Sequence, residues 1–258
     1  MRILSVVGAR PQFIKAAPVQ RALLGRHHEV MQVHTGQHYD DNMSGVFYRE
    51  LGIPEPDVHL GVGSGSHAQQ TAAMFERLEP VIRDAKPGCV VIYGDTNTTL
   101  AAAVVAAKLV VPVAHVEAGL RSFNRAMPEE QNRVVADHLS SILFCPTETA
   151  VRNLKAEGIL RGVHLVGDVM AEAHADAAAR AQRESTVLDR LGLHQRGYAL
   201  ATVHRAENTN DAARLRRILN AFNALGERLV FPMHPRTKRI KAEFQEIAGY
   251  RRRIGLPP

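Results

Sequence analysis

Short runs of aliphatic and β-branched residues recur along this chain, each followed by a glycine or polar turn and then by a longer stretch with helical spacing. No other feature constrains the fold as tightly. Residues 3–7 lead into Gly8-Ala9-Arg10-Pro11 and an Ala-rich helix through Leu24, and residues 29–34 lead into Thr35-Gly36-Gln37-His38 and a second helix. Residues 89–93 precede Gly94-Asp95-Thr96-Asn97 and a helix over 98–109; residues 113–116 precede Glu117-Ala118-Gly119-Leu120-Arg121. Residues 142–145 precede Pro146-Thr147 and a further helix, and 163–166 end at Gly167-Asp168. Repeated strand–helix alternation predicts an α/β fold with a parallel sheet, because parallel neighbours need a crossover that a helix supplies.

The alternation pauses over an Ala-rich helical stretch at 171–190 and resumes with strands at 198–203 and 229–233 around a helix over 211–225. We read two domains, 1–170 and 171–258. Two parallel strands cannot bury both faces of a sheet, so the second domain reads as incomplete. The tail, with Arg251-Arg252-Arg253 and Pro257-Pro258, shows neither cap nor alternation and reads as a truncation or an altered frame.

A formal charge of +6 leaves anionic partners open. Residues 237–258 alone hold six Lys+Arg and two Glu, so four of those charges belong to the tail. The arginine cluster there has no aromatic interleaving beyond Tyr250, and nucleic acid is not expected as a partner. The 45% hydrophobic content excludes a disordered chain. The apolar-leaning stretch before Ala9 is too short for a secretion signal or a membrane span, which together with two cysteines set in apolar runs, Cys89 and Cys145, points to the cytoplasm.

Ligands of open α/β sheets bind beyond the carboxyl ends of the strands. The unusual residues gather there: Arg10, Lys15, Gln37, His38, Asp95, Glu117, Arg121, His204, Arg205, His234 and Arg236, with Glu129-Glu130 opening a helix after Pro128. Carboxylates among cations suit proton transfer on a small anionic substrate. Each residue also has a plainer reading. Asp95 could cap the next helix, Glu129-Glu130 could answer the helix dipole, and Lys15 could be a solvated side chain. The glycine-rich stretch Gly61-Val62-Gly63-Ser64-Gly65-Ser66 lacks the Lys-Ser/Thr ending of a phosphate loop and reads as a flexible loop before a helix. His34 and His38 stand without cysteine or carboxylate at zinc-site spacing, so no metal is expected.

Taken together, the chain resembles the non-hydrolysing UDP-N-acetylglucosamine 2-epimerase family. The matching segments are 8–15, 34–40, 94–97, 115–121, 127–133, 146–149, 166–169, 204–208 and 234–237, in family order. The resemblance implies a GT-B-type fold of two Rossmann-like domains, a UDP-sugar substrate, no cofactor and a homodimer. It also implies elimination of UDP to 2-acetamidoglucal followed by re-addition. Asp95, Glu117 and Glu129 match the acid–base carboxylates. Arg10, Lys15 and His204 match active-site and diphosphate positions, and Arg133 and Arg236 match more weakly. The family pattern continues with a Ser-Gly-Gly helix start and a ribose-binding Glu absent from this chain, from which we expect an inactive, poorly stable polypeptide. The forms of the motifs at 11–15, 34–38 and 121–124 look closer to the branch acting on UDP-2,3-diacetamido-2,3-dideoxyglucuronate. The extra acetamido group and carboxylate would then call for added donors or cations, for which His38 or Arg121 are candidates. A GT-B glycosyltransferase or a non-catalytic remnant are the competing readings.

Overall fold

A computed structural model describes residues 1–37, 48, 52–203, 206–209 and 211–232. The chain divides into two units, Met1–Ala178 and Ala179–Pro258. In the first, seven strands are β1 (Arg2–Val7), β2 (Glu29–His34), β3 (Val58–His59), β4 (Cys89–Tyr93), β5 (Val113–Val116), β6 (Ile142–Cys145) and β7 (Val163–Leu165). They form one parallel sheet in the order β3-β2-β1-β4-β5-β6-β7. Its helices are α1 (Arg10–Gly25), α2 (His67–Ala85), α3 (Asn97–Lys108), α4 (Pro128–Leu139) and α5 (Glu148–Ala156), and α6 (Val169–Glu184) begins in it and carries the chain past its boundary. β4 is buried at all five positions, as a central strand covered on both faces must be.

Strand order and crossover handedness decide where the helices lie. From β3 onward the chain advances in one direction across the sheet, so right-handed connections put α2 to α5 on one face. Met74, Leu78 and Ile82 of α2 accordingly pack with Ala101, Ala102 and Val105 of α3 on Leu4, Val6, Val90 and Ile92. Leu143 and Cys145 pack against Ala150 and Leu154 of α5. The step from β1 to β2 runs the other way and puts α1 on the opposite face, where Phe13, Ala16 and Ala17 cover Ile3, Val7, Val91 and Tyr93. That face of β5 and β6 receives no helix from α2 to α5. An apolar cavity of about 510 Å³ opens there, floored by Ala114, Val116, Ile142 and Phe144 and walled by Pro18, Val19 and Leu23 of α1.

β1 is where the direction reverses, so the switch point lies beyond β1 and β4. Two local devices shape it. Gln12 reaches back from the first turn of α1 to accept from the Gly8 and Ala9 amides at 2.9 and 3.1 Å, while its own amide donates to the Tyr93 carbonyl at 2.9 Å. Gly8 must be glycine because a Cβ would run into the hydroxyls of Thr35 and Thr98, which bond each other at 2.8 Å.

The second unit holds α7 (Val187–Leu191), β8 (Ala199–Leu200), α8 (Ala206–Thr209), α9 (Ala212–Ala224) and β9 (Leu229–Val230), with β8 and β9 parallel. Asp211 caps α9 by accepting from the Arg214 amide at 3.0 Å, and Leu215, Leu219, Val203 and Phe231 form its core. Of the expected strands at 198–203 and 229–233, the pairs among the described residues are Ala199↔Leu229 and Leu200↔Val230, and residue 233 lies outside the described residues.

Candidate active site

The turn after β4 and the turn after β5 bring Asp95 and Glu117 to the carboxyl edge beside the switch point. Gly94 sits at φ +61, and a Cβ there would lie 3.0 Å from Lys15 Nζ and 3.2 Å from Glu117 Oε2, so the backbone passes against that ion pair. Lys15 comes from α1, and the Lys15–Glu117 pair is largely inside, with side chains 10% and 18% exposed. The plain reading of Lys15 as a solvated helix residue therefore fails. An Ala-rich helix carries little amphipathic contrast, and tertiary packing chooses the buried side.

Asp95 does not cap α3. Thr96 takes that position, with its amide donating to Thr99 Oγ1 at 3.2 Å. The Asp95 carboxylate, 32% exposed, instead pairs with Arg133 of α4, and its backbone carbonyl accepts from Asn132 Nδ2 at 2.9 Å. Arg133 also lies 3.3 Å from Glu130.

The Glu129-Glu130 pair separates into two environments. Glu129 is exposed in the first turn of α4, with no hydrogen-bond or ion-pair partner among the described residues. Glu130 is buried and accepts from the Ser122 amide, the Ser122 hydroxyl and the Phe123 amide, each at 2.9 Å, which holds Phe123 at φ +58.

Arg121 departs from the sequence expectation that it meets substrate. Its guanidinium is turned inward and 1% exposed, donating to Asp137 at 2.6 Å and to both carboxylate oxygens of Glu157 at 2.7 and 2.8 Å. Its donors are spent on the protein. Burial alone would lower its proton affinity, but the two carboxylates hold it above the ordinary arginine range. Beneath it, His115 and Asp137 are fully buried and bonded to each other at 2.7 Å. Nothing in the local sequence marks His115, Asp137 or Glu157 as partners, because the pairings span up to 36 positions.

Burial pushes the Asp137 and Glu130 carboxyls up. For Asp137, His115 and Arg121 outweigh it; for Glu130, the Ser122 and Phe123 donors and Arg133 do, so both sit below their usual range. Glu157 is held low chiefly by the Arg121 hydrogen bond. A carboxyl depressed in the folded state stabilises above its unfolded pKa, and that stability is lost as pH falls through the folded value. These groups should therefore contribute fully above about pH 5 and progressively less below about pH 4. Urea unfolding at stepped pH checks this, and an unfolding midpoint constant down to about pH 3 would contradict it.

Other expectations resolve differently. The glycine-rich stretch is anchored, not loose: Val62 and Gly63 donate to the Thr35 and Gly36 carbonyls at 3.0 Å each, and Arg77 donates to the Leu60 and Gly61 carbonyls. Ser66 caps α2. Cys89 and Cys145 are buried, and burial, foremost, lifts the Cys145 thiol to about 11. Arg10 opens α1 beside the switch point. His38, His204 and Arg236 lie outside the described residues. Among the described residues no three His, Cys, Asp or Glu side chains cluster as metal ligands, and no helix is long and apolar enough to cross a membrane.

The chain is similar to known proteins in sequence and fold. The family model for UDP-N-acetylglucosamine 2-epimerase matches residues 22–257. A UDP-N-acetylglucosamine 2-epimerase homolog of Methanococcus maripaludis is 49% identical over 254 residues, covering 97% of this chain and 71% of the relative. The UDP-2,3-diacetamido-2,3-dideoxy-D-glucuronate 2-epimerase of Pseudomonas aeruginosa is 48% identical over 273 residues, covering 99% and 75%. A crystal structure of the Methanocaldococcus jannaschii UDP-GlcNAc 2-epimerase in complex with UDP-GlcNAc and UDP superposes with a TM-score of 0.85 at 42% identity, covering 95% of this chain and 69% of that one. Fold and relatives together define an α/β isomerase of GT-B type. The chain belongs to the UDP-N-acetylglucosamine 2-epimerase family.

Proposed function

We propose that this protein interconverts UDP-GlcNAc and UDP-ManNAc by eliminating UDP and adding it back. The observation that carries this reading is the placement of two carboxylates, Asp95 and Glu117, each against a cation at the switch point. The C2 hydrogen of the sugar is not next to a ketone, so simple deprotonation would leave an unstabilised carbanion. Loss of UDP from C1 as the C2 proton is taken avoids that ion and gives 2-acetamidoglucal. Re-addition of UDP, with a proton delivered to the other face of C2, gives the epimer. This route needs acid–base groups around C2 and cations that retain the departing diphosphate. Asp95, Glu117 and the exposed Glu129 are the acid–base candidates. Arg10, Lys15 and Arg133, with His204 and Arg236 by family likeness, are the candidates for substrate and diphosphate. No cofactor enters the reaction. A cytoplasmic homodimer is the expected setting.

A second substrate, UDP-2,3-diacetamido-2,3-dideoxyglucuronate, is favoured by the 48% identity to the Pseudomonas enzyme. The inward turn of Arg121 spends its donors on the protein, which leaves His38 as the candidate partner for the extra groups of that sugar. Proton NMR of the 258-residue chain with each sugar nucleotide in D2O separates the readings. Under this proposal the expected result is a UDP-ManNAc anomeric signal with deuterium at C2, and that signal would overturn the inactivity expected from the sequence. Turnover of the diacetamido sugar alone would replace the first substrate with the second, and transfer to an added acceptor would indicate a glycosyltransferase.

A further inference from the structure

His115 lies on β5 with its ring fully buried, two positions before Glu117 in sequence and bonded to the Gly94 turn. Nε2 is 2.7 Å from the Gly94 carbonyl oxygen and Nδ1 is 2.7 Å from Asp137 Oδ1. A carbonyl oxygen can only accept, so Nε2 carries a hydrogen. The other Asp137 oxygen accepts from the Gly119 amide at 3.0 Å and from Arg121 at 2.6 Å, the pattern of an ionised carboxylate. Nδ1 therefore donates as well.

The groups held by this pair are the backbones that carry the two active-site carboxylates. Gly94 is pinned on both sides by β5: its amide donates to the Val116 carbonyl at 3.0 Å and its carbonyl accepts from His115. Asp95 is the next residue. Glu117 occupies the left-handed region at φ +73, which a non-glycine residue adopts only where its surroundings enforce it. The Glu117 and Ala118 amides both donate to the Phe144 carbonyl at 3.1 Å, and the Gly119 amide that follows ends on Asp137. Arg121, bidentate on Glu157, also donates to Asp137 and holds its second oxygen. A buried charged pair is a poor device for stability alone, since apolar residues of the same volume often serve as well.

We propose that His115 and Asp137 are positioning residues for the epimerisation, forming a doubly donating imidazole–carboxylate clamp that fixes Asp95 through Gly94 and Glu117 through Gly119. The role of these carboxylates rests on the function proposed above; the clamp itself does not.

The test uses the 258-residue chain. In 15N-histidine-labelled protein at neutral pH, both ring nitrogens of His115 should appear protonated, and an unprotonated ring nitrogen overturns the double donation. In His115→Gln, kcat per UDP-binding site should fall by about 10–100-fold, the range for partners that orient active-site groups. KM for UDP-GlcNAc should stay within about twofold, because no substrate cation is touched. Asp137→Asn should show the same split, and it carries the kinetic decision if His115→Gln does not fold. A purely structural role would instead lower the number of binding-competent sites and the melting temperature with kcat per site unchanged, and that outcome overturns the proposal. If the unaltered chain turns over neither sugar nucleotide, the proposed function fails while the histidine spectrum still decides the clamp.

Discussion

Replacing Asp95 by Asn is expected to slow epimerisation by about 10²–10⁴-fold, the contribution of a positioned acid or base, with UDP affinity little changed. The substitution keeps the shape of the side chain and removes its charge and its capacity to take or give a proton. Asn132 still donates to the carbonyl of residue 95, so the turn keeps its place. Lys15 and Glu117 form a separate pair, unaffected in charge. The Arg133 guanidinium loses its ionic partner at position 95 but retains Glu130 at 3.3 Å. Two rates need measuring by proton NMR in D2O: exchange of the C2 hydrogen and appearance of the second epimer, with UDP binding followed by calorimetry. Loss of both rates together assigns Asp95 to the proton-transfer step. Turnover within about twofold of the unaltered chain would remove Asp95 from the chemistry and leave it a partner for Arg133.

That assignment was open to sequence reading because turns after parallel strands are short and local. The run Gly94-Asp95-Thr96-Asn97 follows a wholly apolar strand, and its place at the carboxyl edge follows from the alternation alone. Elements bounded by polar turns were equally legible: β2 spans the expected residues 29–34. Two kinds of information were not. The extent of β8 depends on how far its partner runs alongside it, and among the described residues β9 pairs at Leu229 and Val230. The inside of the site depends on contacts distant in sequence. Arg121 reads as a loop cation until Asp137 and Glu157, 16 and 36 positions away, are seen to enclose it. Lys15 reads as a surface residue until Glu117, 102 positions away, is seen beside it. In both cases residue type was informative and direction was not, since a charged side chain on a helix or in a turn can face either way until the tertiary packing is fixed.

Asp137 is where those distant contacts meet, and its replacement by Ala should be strongly destabilising. The carboxylate is fully buried and accepts from His115, Arg121 and the Gly119 amide. Removing it leaves the Arg121 guanidinium in the interior with Glu157 and the Leu120 carbonyl, takes the partner from His115 Nδ1 and orphans a backbone amide. Breaking a buried charge pair on one side costs about 3–5 kcal/mol, most of it from the partner left behind. The Gly119 amide cannot recover its bond by moving: at φ +78 the backbone is already pressed on α5, where even a Cβ would lie 2.9 Å from the Ala150 carbonyl carbon and 3.0 Å from Leu154 Cγ. Asp137→Asn should cost less, because an amide oxygen still accepts from one donor. Asp137→Ala should also flatten the acid limb of the stability curve, since one of the depressed carboxyls that generates it is gone. Urea titrations of the unaltered chain and the two variants, at neutral pH and at about pH 4, test both effects together. A loss at neutral pH under about 1 kcal/mol for Asp137→Ala would show that Glu157 alone compensates Arg121, and that Asp137 serves only to orient the turn.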